Sequence, residues 1–267
     1  MFLVFDDFPP INQYLSKGKN MLRKTGINLL LFVLIFSACK THHRFNHSVA
    51  EQQEIKTISA SPKYDSVISP YKLLLNEKMN KELVLCTSSL TKDGHEMTLG
   101  NFMCDAMKWA YDSVMKQNTN CIVLMNRGGI RTNLNKGMIT VNSIFELMPF
   151  ENEIELVEIK GVDLYNIVKA ILEKKHGFYG MKIVETQNKM WSASIDNKAI
   201  DSIATYQVLT SDFLVNGGDN FTFGQHKISS KKPNLKIRDA LIYYCMHLTY
   251  TGKTLTPYTD GRFELAK

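Results

Sequence analysis

The stretch SDFLVNGGDNF, residues 211–221, decides how the rest of the chain is read. Its apolar residues continue a strand-like run, yet two adjacent glycines and an acid stand inside it, where a strand loses packing and conformational stability. A glycine pair is useful where the backbone must take a positive φ or approach another group without a Cβ between them. We therefore expect a strand interrupted to form a turn, with Asp219 carried on the turn and Phe213 a fixed distance before it.

Outward from this point the chain alternates helix and strand. YKLLLNEKMNKEL has helical spacing of apolar residues, and ELVLCTSSL reads as a strand. LGNFMCDAMKWAYDSVMKQ places Phe102, Met103, Ala106, Ala110 and Val114 on one helical face, and CIVLM follows as a short buried strand. VNSIFELMP is a short helix stopped by Pro149, EIELVEIK alternates as a strand, and GVDLYNIVKAILEKKH is an amphipathic helix. MKIVET and ATYQVLTS read as strands, and KIRDALIYYCMHLTY closes the series as a long helix. The expectation is a single α/β (α+β) domain over residues 61–267, with no internal repeat.

The 267 residues, 44% apolar and 22% charged, suit a folded domain with a substantial core. The net charge of +6 includes +2 from residues 1–38, and the remaining +4 is too small and too evenly spread to argue for nucleic acid. The N-terminal part reads as an address. After Met21, itself a candidate start, come Arg23 and Lys24, an apolar stretch from Ile27 to Phe36, and then Ser37, Ala38 and Cys39. Residues 1–38 are expected to be a signal peptide. FSAC, 36–39, resembles a bacterial lipobox with Cys39 lipidated, although Phe36 replaces the usual aliphatic residue; an uncleaved anchor and an ordinary signal peptide are the alternatives. Residues 39–60 then form a polar tether, in which His42, His43 and His47 lack an acid or cysteine to complete a metal site. This places the domain in a bacterial cell envelope, periplasmic or on the outer membrane. Of the remaining cysteines, Cys86, Cys104, Cys121 and Cys245 show no metal-ligand spacing and are expected to be buried thiols, with disulfides the alternative.

Two further stretches carry polar chemistry. In LMNRGGIRTNL, 124–134, a buried strand ends at Asn126, two glycines turn the backbone, and Arg131 leaves the turn with a fork of donors suited to phosphate or paired oxygens. Alone this reads sooner as a plain glycine turn with a surface arginine. In LMPFENEIELVEIKG, 147–161, Phe150 sits between a helix and a strand, where an aromatic is ordinarily core.

In this order, LGNFMCDAM, NRGGIR, MPFEN with LVEIKG, and SDFLVNGGDNF resemble the C-terminal substrate-recognition domain of the 5'-nucleotidase family, over roughly residues 85–225; TDGRFEL looks like the end of that domain. The resemblance implies a domain of layered mixed sheets and helices. It also implies Phe150 and Phe213 as a clamp on the two faces of a base, Asp219 on the ribose hydroxyls, and Asn126 and Arg131 on polar parts of the ligand. Asn152 and Gly218 belong to the same implied substrate-binding set. Two departures bear on the site. The arginine that members often carry shortly before LGN is absent, with Lys92 or His95 nearby instead. Glu151 stands where a glycine usually follows the clamp phenylalanine.

In the family, hydrolysis occurs in a separate domain whose Asp, His and Asn clusters hold two metals. No G-N-H-[DE] or G-H-x-H occurs in this sequence, and DGHE, 93–96, resembles only a fragment of such a motif. We therefore expect no catalytic or metal-ligating residue and no cofactor in this chain, with divalent metals supplied by a separate metallophosphatase. Two functions follow as expectations: the nucleotide- or nucleoside-recognition part of a split hydrolase, or a stand-alone nucleotide-binding envelope lipoprotein. A retained fold with a decayed site is the third possibility.

Overall fold

The computed structural model describes residues 62–266. The signal segment, Cys39 and the tether lie outside the described residues. The first element, α1 (Pro62–Met79), is a helix as the spacing predicts, but Leu73, Leu74 and Leu75 are exposed on it rather than packed.

A five-stranded mixed sheet forms the centre. Its strands are β2 (Ile122–Met125), β4 (Ile154–Lys160), β5 (Gly177–Tyr179), β9 (Thr205–Ser211) and β10 (Ser229–Lys231), in the order β10-β4-β9-β2-β5. β2 and β9 run parallel, and the other neighbours are antiparallel. Side chains alternate across a strand, so Val123, Met125, Ile154, Leu156 and Leu209 enter one core and Ile122, Leu124, Val157, Ile159 and Val208 the other. The first core is closed by α2 (Thr98–Met115), α3 (Val141–Leu147) and α6 (Ile237–Tyr250). The second is closed by α4 (Gly161–Lys174) and by a four-stranded sheet ordered β11-β6-β7-β8. Those strands are β6 (Lys182–Thr186), β7 (Trp191–Ile195), β8 (Lys198–Ala199) and β11 (Phe263–Ala266). A two-stranded ribbon of β1 (Glu82–Cys86) and β3 (Gly137–Thr140) completes the layers.

β4 is a strand as read, and it is an inner one covered on both faces, so even Glu155 is buried, its carboxylate met by Ser230 and by the ammonium groups of Lys227 at 3.5 Å and Lys232 at 3.3 Å. Two expectations are corrected. Val114 does not join the buried face of α2, which ends at Tyr111; it is exposed in the last turn before the left-handed cap at Lys116. Finally, the glycines at 217 and 218 do not interrupt a strand. β9 stops at Ser211, whose hydroxyl accepts the Leu214 N–H at 3.2 Å and caps the short helix α5 (Asp212–Val215). A serine N-cap overrides apolar spacing because it satisfies a helix-end donor that a strand would pair elsewhere. The four thiols Cys86, Cys104, Cys121 and Cys245 are free and buried, and burial pushes Cys121 and Cys245 up to about 12.

Candidate functional site

Strand ends and short turns assemble the site at one edge of the central sheet. β2 ends at Met125 and hands Asn126 to a 3-10 turn, Arg127–Gly129. β9 ends at Ser211, and α5 leads to Gly217, at φ 94°, and Asp219, at φ 53°. β4 begins at Ile154, just after the Phe150 loop. A cleft of about 260 Å³ is lined by Asn126, Gly128, Gly129, Arg131, Phe150, Asn152, Phe213 and Asp219. Six of the seven residues singled out in the sequence thus converge on one opening, from segments far apart in the chain. Gly218, the seventh, lies against the Phe213 ring: a Cβ there would stand 2.4 Å from Cε1.

Both phenylalanines are exposed, Phe150 at 38% and Phe213 at 43%, which is unusual for aromatics that could be core. In the same cleft the Asp219 carboxylate accepts the Asn126 Nδ2–H at 2.6 Å. Asn126 is buried and its Oδ1 has no hydrogen-bond partner, so the side chain has an unmet acceptor at the cleft wall. The Arg131 guanidinium stands 5.6 Å from the centre of the Phe150 ring, a cation–π distance.

The Phe150 loop is tied to the start of α6. Glu151 pairs with Lys236 and Arg238, and these hydrogen bonds, Lys236 first, pull its carboxyl down to about 2. Arg238 also donates to the Phe150 carbonyl at 3.4 Å and lies 4.0 Å over the Phe145 ring, while the Ile237 N–H donates to the Asn152 carbonyl at 3.0 Å. Glu151, at the position where the family pattern has glycine, is thus a latch on the loop.

Beside the cleft opens a second recess of about 500 Å³, sharing Gly128, Arg131 and Asp219 with it and adding Lys92, Arg127, Ile130, Lys174 and His176. The structure separates the two candidates for the missing arginine: Lys92 lines this recess, whereas His95 stacks on Phe263 at 4.6 Å. DGHE is accounted for structurally, since Glu96 Oε1 accepts the N–H groups of Asp260 at 2.6 Å and Gly261 at 3.2 Å. Arg127, Lys174 and His176 were not singled out in the sequence. Arg127 lies inside the quoted NRGGIR, but Lys174 is the last residue of α4 and His176 follows it, with no motif of their own. Among the described residues, no group of three or more His, Cys, Asp and Glu could hold a metal ion, so the donors here do not fit a dinuclear metal centre.

The profile of the 5'-nucleotidase C-terminal domain matches residues 79–226. The chain is 25% identical to an apyrase of Tabanus yao over 199 residues, which is 64% of this chain and 35% of that protein. It is 26% identical to a human 5'-nucleotidase over 198 residues, 62% of this chain and 34% of that one. A 5'-nucleotidase precursor from Thermus thermophilus superposes with a TM-score of 0.64 at 22% identity, over 76% of this chain and 43% of that one. The chain therefore spans about a third of the length of these two relatives and under half of the solved structure.

Proposed function

The chain belongs to the 5'-nucleotidase C-terminal domain family, and from this premise we propose that it is the nucleotide- or nucleoside-recognition component of a 5'-nucleotidase-type hydrolase. A base would lie between Phe150 and Phe213, the ribose hydroxyls would bond Asp219, and Asn126, Arg131 and Asn152 would hold the remaining polar atoms. The observation that carries this reading is the pair of exposed aromatics that line one cleft together with a hydrogen-bonded carboxylate. Aromatic faces stack on any base, at about 1–3 kcal/mol per base. A carboxylate fixed by Asn126 accepts two vicinal hydroxyls without reorganising. The site so built would bind a sugar and base.

Hydrolysis would then require two metals and an activated water from a separately encoded metallophosphatase, which docks its substrate's phosphate against this domain. A lipid on Cys39 would hold the recognition part in the bacterial envelope beside that partner. The test is a phosphate-release assay on 5'-nucleotides with magnesium, manganese, cobalt or zinc, on this chain alone and with a candidate metallophosphatase. We expect nucleotide binding in both cases and turnover only in the second. Enzyme-like turnover by the isolated chain, abolished by His95→Ala, would overturn the reading.

A further inference from the structure

We propose that an apolar stripe on α1 is the docking surface for the separate metallophosphatase that completes the hydrolase. The inference rests on the reading of this chain as a recognition component and assigns the face on which its partner sits, a face that shares no residue with the nucleoside cleft. The stripe consists of Tyr64, Val67, Ile68, Tyr71, Leu74 and Leu75, each between 54% and 73% exposed. At about 100° per residue they fall within an arc of about 120°. Asp65, Ser69, Lys72 and Asn76 lie outside that arc, and so does Leu73.

A stripe of that width is what a helix turns toward a core. On α1 it is turned to solvent, since every residue from Tyr64 to Lys78 is exposed. Single apolar residues on a surface need no explanation, but a contiguous apolar face marks an interaction site. The arc holds no charge before Lys78 in the last turn, so the surface that complements it is apolar as well.

What covers the stripe follows from the place of α1 in the chain. The family match begins at residue 79, the last residue of the helix, and the matched family is a C-terminal domain. In the apyrase and the human 5'-nucleotidase the aligned segment is 35% and 34% of the protein. The part of a protein that precedes its C-terminal domain arrives at the start of that domain, and α1 stands there. When the hydrolytic part is a separate chain, it must reach the same place without a covalent link, and burial of an apolar face supplies the attraction. The apolar surface also continues past the helix. Asn80 and Lys81 lead into β1, where Leu85 stands opposite Met138 of β3, both exposed, about 13 Å beyond Lys81 at the rise of a strand. A second copy of α1 laid along the stripe leaves that pair bare, whereas a folded domain covers both.

The experiment mixes the full chain with a metallophosphatase from the assay above, on a 5'-nucleotide with manganese. It reads phosphate release against chain concentration, with sedimentation velocity on the same mixture. In Tyr71→Gln/Leu74→Gln we expect the concentration for half-maximal release to rise about tenfold or more and the sedimenting complex to be lost, while the variant alone binds nucleoside as the parent does. Leu85→Gln, on another element, should give part of the loss and covers the case in which the double variant unwinds α1. Ile203→Gln, at an exposed apolar residue outside α1 and the ribbon, should assemble as the parent does. A Tyr71→Gln/Leu74→Gln chain that assembles and supports release like the parent overturns the docking surface and leaves the recognition reading standing. A chain that sediments by itself as a dimer, returned to a monomer by the same variant, puts a second copy on the stripe and also overturns the proposal. No release from the parent chain with any metallophosphatase tested overturns the reading of the chain as part of a hydrolase, and the docking with it.

Discussion

The two aromatic walls of the cleft are held by unlike means. Phe150 sits on a loop latched from outside by charges, with Glu151 paired to Lys236 and Arg238, and Arg238 bonded to the Phe150 carbonyl. Phe213 is held by local hydrogen bonds and shape. Ser211 caps its helix, Asp212 Oδ1 accepts the N–H of Glu153 at 3.1 Å and of Phe213 at 2.8 Å, and Gly218 leaves room for the ring. One wall is therefore sensitive to ions, and the other to volume. Their partners differ in the same sense, for Arg131 stands over Phe150 while the Gly218 backbone lies against Phe213.

Removing both walls should have the largest effect. Phe150→Ala with Phe213→Ala is expected to weaken nucleoside binding by about 2–6 kcal/mol, from about 1–3 kcal/mol of stacking per ring. Because both rings are exposed, the thermal midpoint should hardly move. Calorimetry and a melting curve on the same sample check this. Affinity within twofold of the parent would mean that no base lies between the rings, and a large loss of midpoint would make them core residues.

The next effect isolates the Phe213 wall. Gly218→Ala places a methyl 2.4–2.5 Å from three atoms of the Phe213 ring, so the ring must swing away. It is a side chain 43% exposed, and it can move without opening the core. Binding should fall by about 1–3 kcal/mol, as for the loss of one stacking face. Stability should fall by less than about 1 kcal/mol. A variant that binds as the parent does would show that Phe213 is free to stack in another position.

How much of this was visible in the sequence follows from what kind of force holds each part. The long elements were legible because a single periodicity governs them: α2, α4 and α6 appear where their apolar spacing put them. The edge strands β5, β8 and β10 were not, since three residues or fewer carry no period. The cleft residues were legible as a set through the order of their motifs, and the structure brings six of them to one opening. The short helix α5 was misread as strand because LV continues the apolar run of β9, and only the Ser211 hydroxyl decides otherwise. Lys174 and His176 stayed hidden for another reason. They reach the recess through tertiary packing against Asp219 and Arg127, which no local spacing encodes.

A smaller effect concerns the acid of the cleft. Asp219→Asn keeps an acceptor for the Asn126 amide but removes the charge, so the preference for ribose over 2'-deoxyribose ligands should fall by about 1 kcal/mol. Paired titrations with a nucleoside and its deoxy form measure it. An unchanged preference would make Asp219 a turn residue alone, with its left-handed backbone as its contribution.

The smallest effect tests the ionic wall. In Glu151→Gln the loop loses its charge pairing with Lys236 and Arg238 but keeps the Ile237 N–H to Asn152 carbonyl bond at 3.0 Å. Glu151 is the exposed partner of both pairs, and Arg238 keeps its contacts with the Phe150 carbonyl and the Phe145 ring, so nucleoside affinity should drop by no more than about threefold. The informative readout is its dependence on conditions. In the parent, rising salt should loosen binding by screening the latch, whereas in Glu151→Gln that dependence should shrink; Gly218→Ala, which disturbs the other wall, should retain it. The pH direction is also fixed. The Glu151 carboxyl is held at about 2, below the ordinary glutamate range, so its contribution is complete above that ordinary range and is lost only as pH falls toward about 2. The latch should therefore still be closed at pH 4. A parent whose nucleoside affinity is as indifferent to salt as the Glu151→Gln variant would show that the Phe150 wall, like its partner, is held by shape.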